Sequence, residues 1–192
     1  PNGESGLVVT PFEMFCRYQD NADGTGAWFW EHQALTRARF VAGDPELGRR
    51  FEEQRVQVLL KERGPEQTRR DVLEMREKMH EGHINRSSAF DIKHDHGGMV
   101  DVEFVVQWFV LTYSARYPEL TNNFGNILLL EKIGQLGLLD AELCQEAIKA
   151  YRHYRLLQHE IRLNAGENAP VRVNPTLVEK ESEVVSRLWD TV

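Results

Sequence analysis

The apolar positions follow a helical period along nearly the whole chain. A short β-branched run, Leu7-Val8-Val9, reads as a strand. Thr10-Pro11-Phe12-Glu13 then has the form of a capping box, with Thr at the cap, Pro at the first position and Glu at the third. It predicts a short helix to about Asp20. After the loop Asp20 to Gly26, helices are expected over about Ala27 to Val41 (stopped by Gly43), from Asp44-Pro45 to about Glu62, and from about Pro65 to Glu81. Residues 82–98 have no period and hold Gly82, Ser87-Ser88 and Gly97-Gly98. A helix apolar on most faces, hence a core helix, runs from Met99 to about Arg116, and Pro118 ends it. Further helices are expected at 121–137, 140–164 and 175–191, with Asp140 and Asn174 as caps. The pattern predicts an all-α helical bundle of about seven helices with a short β remnant at the N-terminus, divided as residues 1–10 and 11–192. A lone strand is not stable in water, so the first segment either packs on the rest or belongs to a sheet lying upstream.

Charge and composition narrow the function classes. Asp and Glu number 30 against 23 Lys and Arg, a formal charge of −7. That balance argues against a nucleic acid backbone as the main partner, although it leaves room for a local basic pocket. No apolar run approaches the roughly 18 residues a membrane span needs. Phe104 to Leu111 is the longest candidate, and Gln107 interrupts it. Cys16 and Cys144 are too few for a disulfide framework, which points to a reducing cytoplasm. The start at Pro1, without Met or a signal-like segment, suggests a piece cut from a longer protein.

Candidate chemistry concentrates in two stretches. In Phe90-Asp91-Ile92-Lys93-His94-Asp95-His96-Gly97-Gly98-Met99-Val100-Asp101-Val102-Glu103-Phe104, a cation and a Gly-Gly turn precede a helix start. Free N–H groups at a helix start attract anions, and Gly-Gly lets backbone approach a phosphate. Asp101 and Glu103 could hold a metal-bound water or position Lys93. The same residues also suit a plain bend before a buried helix, with Glu103 in a salt bridge to Lys93 or to an arginine of another helix. In Trp30-Glu31-His32-Gln33-Ala34-Leu35-Thr36-Arg37-Ala38-Arg39, a helix would place Trp30, Ala34, Ala38 and Val41 on one face and His32, Thr36 and Arg39 on another. Arg37 would lie on the flank, either gripping phosphate in a fork or covering the core with its stem. His94-Asp95 could be read as a metal-dependent phosphohydrolase pair, but it lies in a Gly-flanked loop without the helical His and Asp partners such a site needs. No P-loop, dinucleotide fingerprint or Gly-x-Ser-x-Gly occurs.

Taken together the two stretches resemble the glutamine synthetase adenylyltransferase family. Phe90-Asp91-Ile92-Lys93 with Gly97-Gly98-Met99-Val100-Asp101-Val102-Glu103-Phe104 looks like the signature that follows that family's nucleotidyltransferase sheet. Pro1-Asn2-Gly3-Glu4-Ser5-Gly6-Leu7-Val8-Val9 looks like the strand and turn closing the sheet. The arginine-bearing stretch and Val100-Asp101-Val102-Glu103 are more similar to the C-terminal, adenylylating half than to the half that removes AMP. The resemblance implies transfer of AMP from ATP to a tyrosine of glutamine synthetase, with two Mg²⁺ held by an Asp-x-Asp pair after a Gly-Ser turn and by a third acid on a later strand. No Gly-Ser-x-x-Asp-x-Asp occurs here, so catalytic acids are expected upstream of Pro1, no metal ligand is assigned, and this chain alone is expected to be inactive. It further implies that Lys93, Gly97, Gly98, Asp101, Glu103, Arg37 and Arg39 face ATP, with Lys93 and Arg37 holding phosphate oxygens. Glutamine synthetase and a nitrogen-signalling regulatory protein are the implied partners. A non-catalytic helical domain that docks either of them is the alternative, with an exposed apolar patch within 140–191 as its mark.

Overall fold

The computed structural model describes residues 9–21, 24–166 and 169–192. Leu7 and Val8 of the expected strand, with the rest of residues 1–8, lie outside the described residues; Val9 is exposed and lies in a bend. Among the described residues there are eight α-helices: α1 (Phe12–Asp20), α2 (Phe29–Leu35), α3 (Pro45–Leu59), α4 (Pro65–Glu81), α5 (Met99–Tyr113), α6 (Asn126–Gln135), α7 (Ala141–Ala165) and α8 (Glu179–Trp189). Single 3-10 turns precede α6 at Pro118–Thr121 and α8 at Pro175–Leu177. The fold is mainly α.

The strands found lie elsewhere than the sequence pattern placed one. β1 (Phe90–Asp91) and β2 (Arg172–Val173) pair antiparallel, Phe90 opposite Val173 and Asp91 opposite Arg172. The pairing is non-local, so no local period announces it.

Helix α5 is the axis of the core. Twelve of its fifteen residues are buried, and α2, α4, α6, α7 and α8 pack around it. Gln107, which breaks the apolar run, accepts a hydrogen bond from the Gln33 amide of α2 at 3.1 Å, so the polar atom is used inside the fold. Helix α7 lays Cys144, Ala147, Ile148, Tyr151, Tyr154 and Gln158 inward at helical spacing. Asp140 caps it by accepting from the Leu143 N–H, and Asn174 caps the 3-10 turn before α8. The free cysteines are core residues or close to it: Cys144 is buried and Cys16 half-buried. No helix among the described residues is long and apolar enough to cross a membrane.

Three expected features are corrected. Thr10 does not cap α1: Pro11 occupies the cap position without a side-chain bond, and the Thr10 hydroxyl turns to the Pro11 carbonyl. The helix expected to 41 ends at Leu35, so Arg37 lies in a turn and Arg39 in irregular chain. The span 121–137 is broken by Gly125, whose φ of +82° is open to glycine at little cost. Helix α6 starts just after it.

Candidate functional site

The loop from Asp91 to Gly98 is built by its own carboxylates and by one buried arginine. Asp91 accepts from the N–H groups of Lys93 and His94, each at 3.0 Å. Asp95 accepts from the Asp91 N–H and the Asn85 amide, each at 2.8 Å. Arg76 of α4 is 1 % exposed; it donates to the Asp101 carboxylate and to the His94 and Asp95 carbonyls. The other Asp101 oxygen accepts from the Gly97 N–H at 2.7 Å. Asp101 is therefore an interior group that fixes the loop to α4 and α5.

The twin glycines serve this same packing. Gly97 has φ +81°, and a Cβ there would fall 2.8 Å from the Ser182 carbonyl of α8. A Cβ on Gly98 would fall 2.8 Å from the Asp95 carbonyl. The start of α5, expected as an anion seat, is closed by the loop itself. The Met99 and Val100 N–H groups donate to the carbonyls of Ile92 and Lys93, at 2.9 and 3.2 Å. Lys93 is half-buried, and its ammonium has no ion pair or hydrogen bond among the described residues. His83 stacks on His94 with centroids 4.2 Å apart, and His80 lies 4.5 Å from His96. Burial pushes the His94 imidazole below its ordinary pKa, against the pull of Asp91. Among the described residues no group of three or more His, Cys, Asp or Glu could hold a metal ion.

Glu103 and Arg37 are joined by a relay. The Arg37 guanidinium donates to the Asn126 side-chain oxygen at 3.2 Å. The Asn126 amide donates to the Tyr151 hydroxyl at 2.9 Å, which donates to Glu103 at 2.9 Å. Tyr151 is buried, and burial beside the Glu103 charge pushes its pKa up to about 12. Arg37, Asn126 and Tyr151 open onto a cavity of about 350 Å³ that Gly125, Arg152 and Arg155 also line. Lys93 does not line it, and Arg39 lines a different, largely apolar groove with Phe12, Phe15, Phe40 and Phe51. The structure thus brings Arg37 and Glu103 into one network, Lys93, Gly97, Gly98 and Asp101 into another, and leaves Arg39 apart.

Sequence reading missed Arg76, Asn126, Tyr151, Arg152, Tyr154 and Arg155. Arg76 had a signal: it falls on the Thr68–Val72–Arg76 stripe that is buried along α4, where a charge needs a partner. Tyr151 and Tyr154 lie on the inward face of α7, and the Tyr154 hydroxyl donates to the Gly97 carbonyl at 2.8 Å. These tyrosines tie both networks to one helix.

A family model described as glutamate-ammonia ligase adenylyltransferase matches residues 1–54, and one described as GlnD PII-uridylyltransferase matches residues 66–170. Among curated proteins, a bifunctional glutamine synthetase adenylyltransferase/adenylyl-removing enzyme of Burkholderia pseudomallei is 49% identical over 100% of this chain and 21% of its own length. Proteins of the same name from Nitrosomonas eutropha and Aromatoleum aromaticum are 47% and 50% identical over all of this chain and 22% and 20% of theirs. The helices and these matches define a helical region of the kind found in adenylyltransferases and uridylyltransferases. The chain belongs to the glutamine synthetase adenylyltransferase family. It spans about a fifth of the length of the relatives it matches.

Proposed function

We propose that this chain is the helical part of a protein adenylyltransferase that moves AMP from ATP to a tyrosine of glutamine synthetase and so regulates nitrogen assimilation. The observation that carries this reading is the end-to-end match, at about half identity, to relatives named for that activity. Arg37 is the cation that faces ATP from its cavity, Lys93 faces it from the separate loop network, and Arg39, on a different groove, is left out of the site. Gly97, Gly98, Asp101 and Glu103 act behind them, holding the loop and the Arg37 relay in place. ATP and Mg²⁺ belong to the whole enzyme, with Mg²⁺ on carboxylates outside residues 1–192. The chain holds no Gly-Ser-x-x-Asp-x-Asp, and by itself it is expected to transfer no AMP.

The test appends the nucleotidyltransferase sheet of a relative to residues 1–192 and measures AMP transfer to glutamine synthetase. Activity is expected in the longer chain. Lys93→Glu there is expected to lower the rate by about 10²-fold or more, as when an electrostatic stabiliser of the transferred group is lost. An unchanged rate removes Lys93 from the site.

A second reading, a docking surface for glutamine synthetase or a regulatory protein, draws on Leu156 and Leu163 of α7, which are 57% and 85% exposed and lie two turns apart on one face. Both can hold, since a protein substrate needs a surface to dock on. Leu156→Glu with Leu163→Glu is expected to abolish capture of glutamine synthetase by this chain; undiminished capture sinks this reading.

A further inference from the structure

We infer that Arg37, Arg152 and Arg155 form a binding pocket for a di- or triphosphate anion, in which the two α7 arginines, and not Lys93, are the partners of Arg37. The three side chains line one cavity of about 350 Å³ with Gly125, Asn126 and Tyr151. Among the described residues none of the three pairs with a carboxylate, and no carboxylate lines the cavity. Arg37 has only the neutral Asn126 oxygen, and Arg155 has only a long contact to the His159 imidazole at 3.5 Å. Some surface arginines pair with acids, as Arg49 does with Glu46 and Glu53, Arg50 with Glu13 and Arg187 with Glu146; Arg37, Arg152 and Arg155 stand out because they share one cavity. In a chain with formal charge −7, three like charges on one cavity with no carboxylate in its lining repel one another. An anion of at least two charges removes that repulsion.

The cavity also opens beside the start of α6, where Gly125 holds the cap position without a side-chain bond. The first N–H groups of a helix have no intrahelical acceptor, so they add to the same field. Guanidinium forks match pairs of oxygens on carboxylate and phosphate alike, so it is the three cations around one cavity that favour a multiply charged phosphoanion over a single carboxylate. Asn126 and Tyr151 carry the far end of the pocket to Glu103, so occupancy would be felt at α5.

This deepens the transferase reading and rests on it only for the role of the anion, which is the tail of ATP or the pyrophosphate released from it. Binding itself stands on the pocket alone. The test titrates pyrophosphate into residues 1–192 by calorimetry at low salt. Saturable binding is expected. Arg152→Ala with Arg155→Ala, both exposed and outside the core, is expected to weaken it about tenfold or more with unchanged circular dichroism. Arg187→Ala, remote from the cavity, is expected to leave it unchanged. Displacement of pyrophosphate by ATP but not by AMP identifies the nucleotide tail as the source; retention in the presence of ATP identifies the free anion. No binding, equal binding by the double variant, or equally tight binding of glutarate overturns the inference. If the longer chain transfers AMP while this chain binds no pyrophosphate, the inference alone fails. If this chain binds pyrophosphate and the longer one transfers nothing, the transferase reading alone fails.

Discussion

Arg76 shows how much one interior charge organises. Its guanidinium meets Asp101 and two loop carbonyls inside a region where neither partner sees water. Removing the arginine leaves a carboxylate buried without its cation, the costly half of any buried pair. Arg76→Met is expected to lower the unfolding free energy by about 3–5 kcal/mol, read by urea denaturation. Adding Asp101→Asn, which keeps an acceptor for the Gly97 N–H, is expected to recover part of that loss. A double variant as unstable as the single one would mean that the loop contacts to His94 and Asp95 dominate. At this scale the sequence named Asp101 and the glycines but not their reason. The acid was legible as a helix-start residue. The arginine that answers it comes from 25 positions earlier, on a stripe that had to be recognised as buried.

Element boundaries were readable where the stop signal is local. Helix α3 begins after Asp44, which accepts from the Leu47 N–H, and Pro45 takes its first position. Helix α7 begins after Asp140 in the same way. Helix α2 is the counter-example, because its end depends on distant partners. The Thr36 hydroxyl bonds back to the Gln33 carbonyl at 2.7 Å, and the Asn123 amide then collects the carbonyls of Arg37 and Ala38 at 3.1 and 2.9 Å. Glu52 of α3 accepts from the Phe40 N–H at 2.8 Å. With those groups satisfied outside a helix, the apolar spacing of Ala34, Ala38 and Val41 has nothing left to hold in register. The same bonds fix where Arg37 points. Asn123→Ala is expected to cost about 1 kcal/mol of stability. It should also speed amide exchange near the Asn123-held turn, with the exchange of α5 unchanged. Slow exchange retained in that turn would show that the Arg37–Asn126 bond alone holds it. The pocket beside Arg37 was illegible for a related reason: α7 and the α6 start reach it only through tertiary packing.

For the molecule as a whole, the pH dependence of stability is set in part by a histidine buried in its neutral form. His32 is 9% exposed; its Nε2 lies 3.1 Å from the Gln19 carbonyl and its Nδ1 3.3 Å from the Arg63 guanidinium. A carbonyl can only accept and a guanidinium can only donate, so Nε2 carries the proton and Nδ1 is the acceptor. A second proton would have to enter at Nδ1, against the positive charge of Arg63. Burial first, and Arg63 next, hold this pKa below the ordinary imidazole value in the folded chain, and burial does the same for His94. The unfolded chain has no such restraint and takes up its protons near pH 6.5. Above that value neither state is protonated and the folded state keeps its full stability. As pH falls below it, the unfolded chain binds protons that the folded chain refuses, and each tenfold separation in proton affinity is worth about 1.4 kcal/mol. Stability is therefore expected to decline on acidification from about pH 6.5 and to level off only once the folded imidazoles also titrate. His32→Gln keeps a donor for Gln19 but removes the titrating group, and it should flatten that part of the curve. Thermal or urea melts across pH 5 to 8 measure it. A wild-type profile no steeper than that of His32→Gln would show that the buried histidine does not govern the slope.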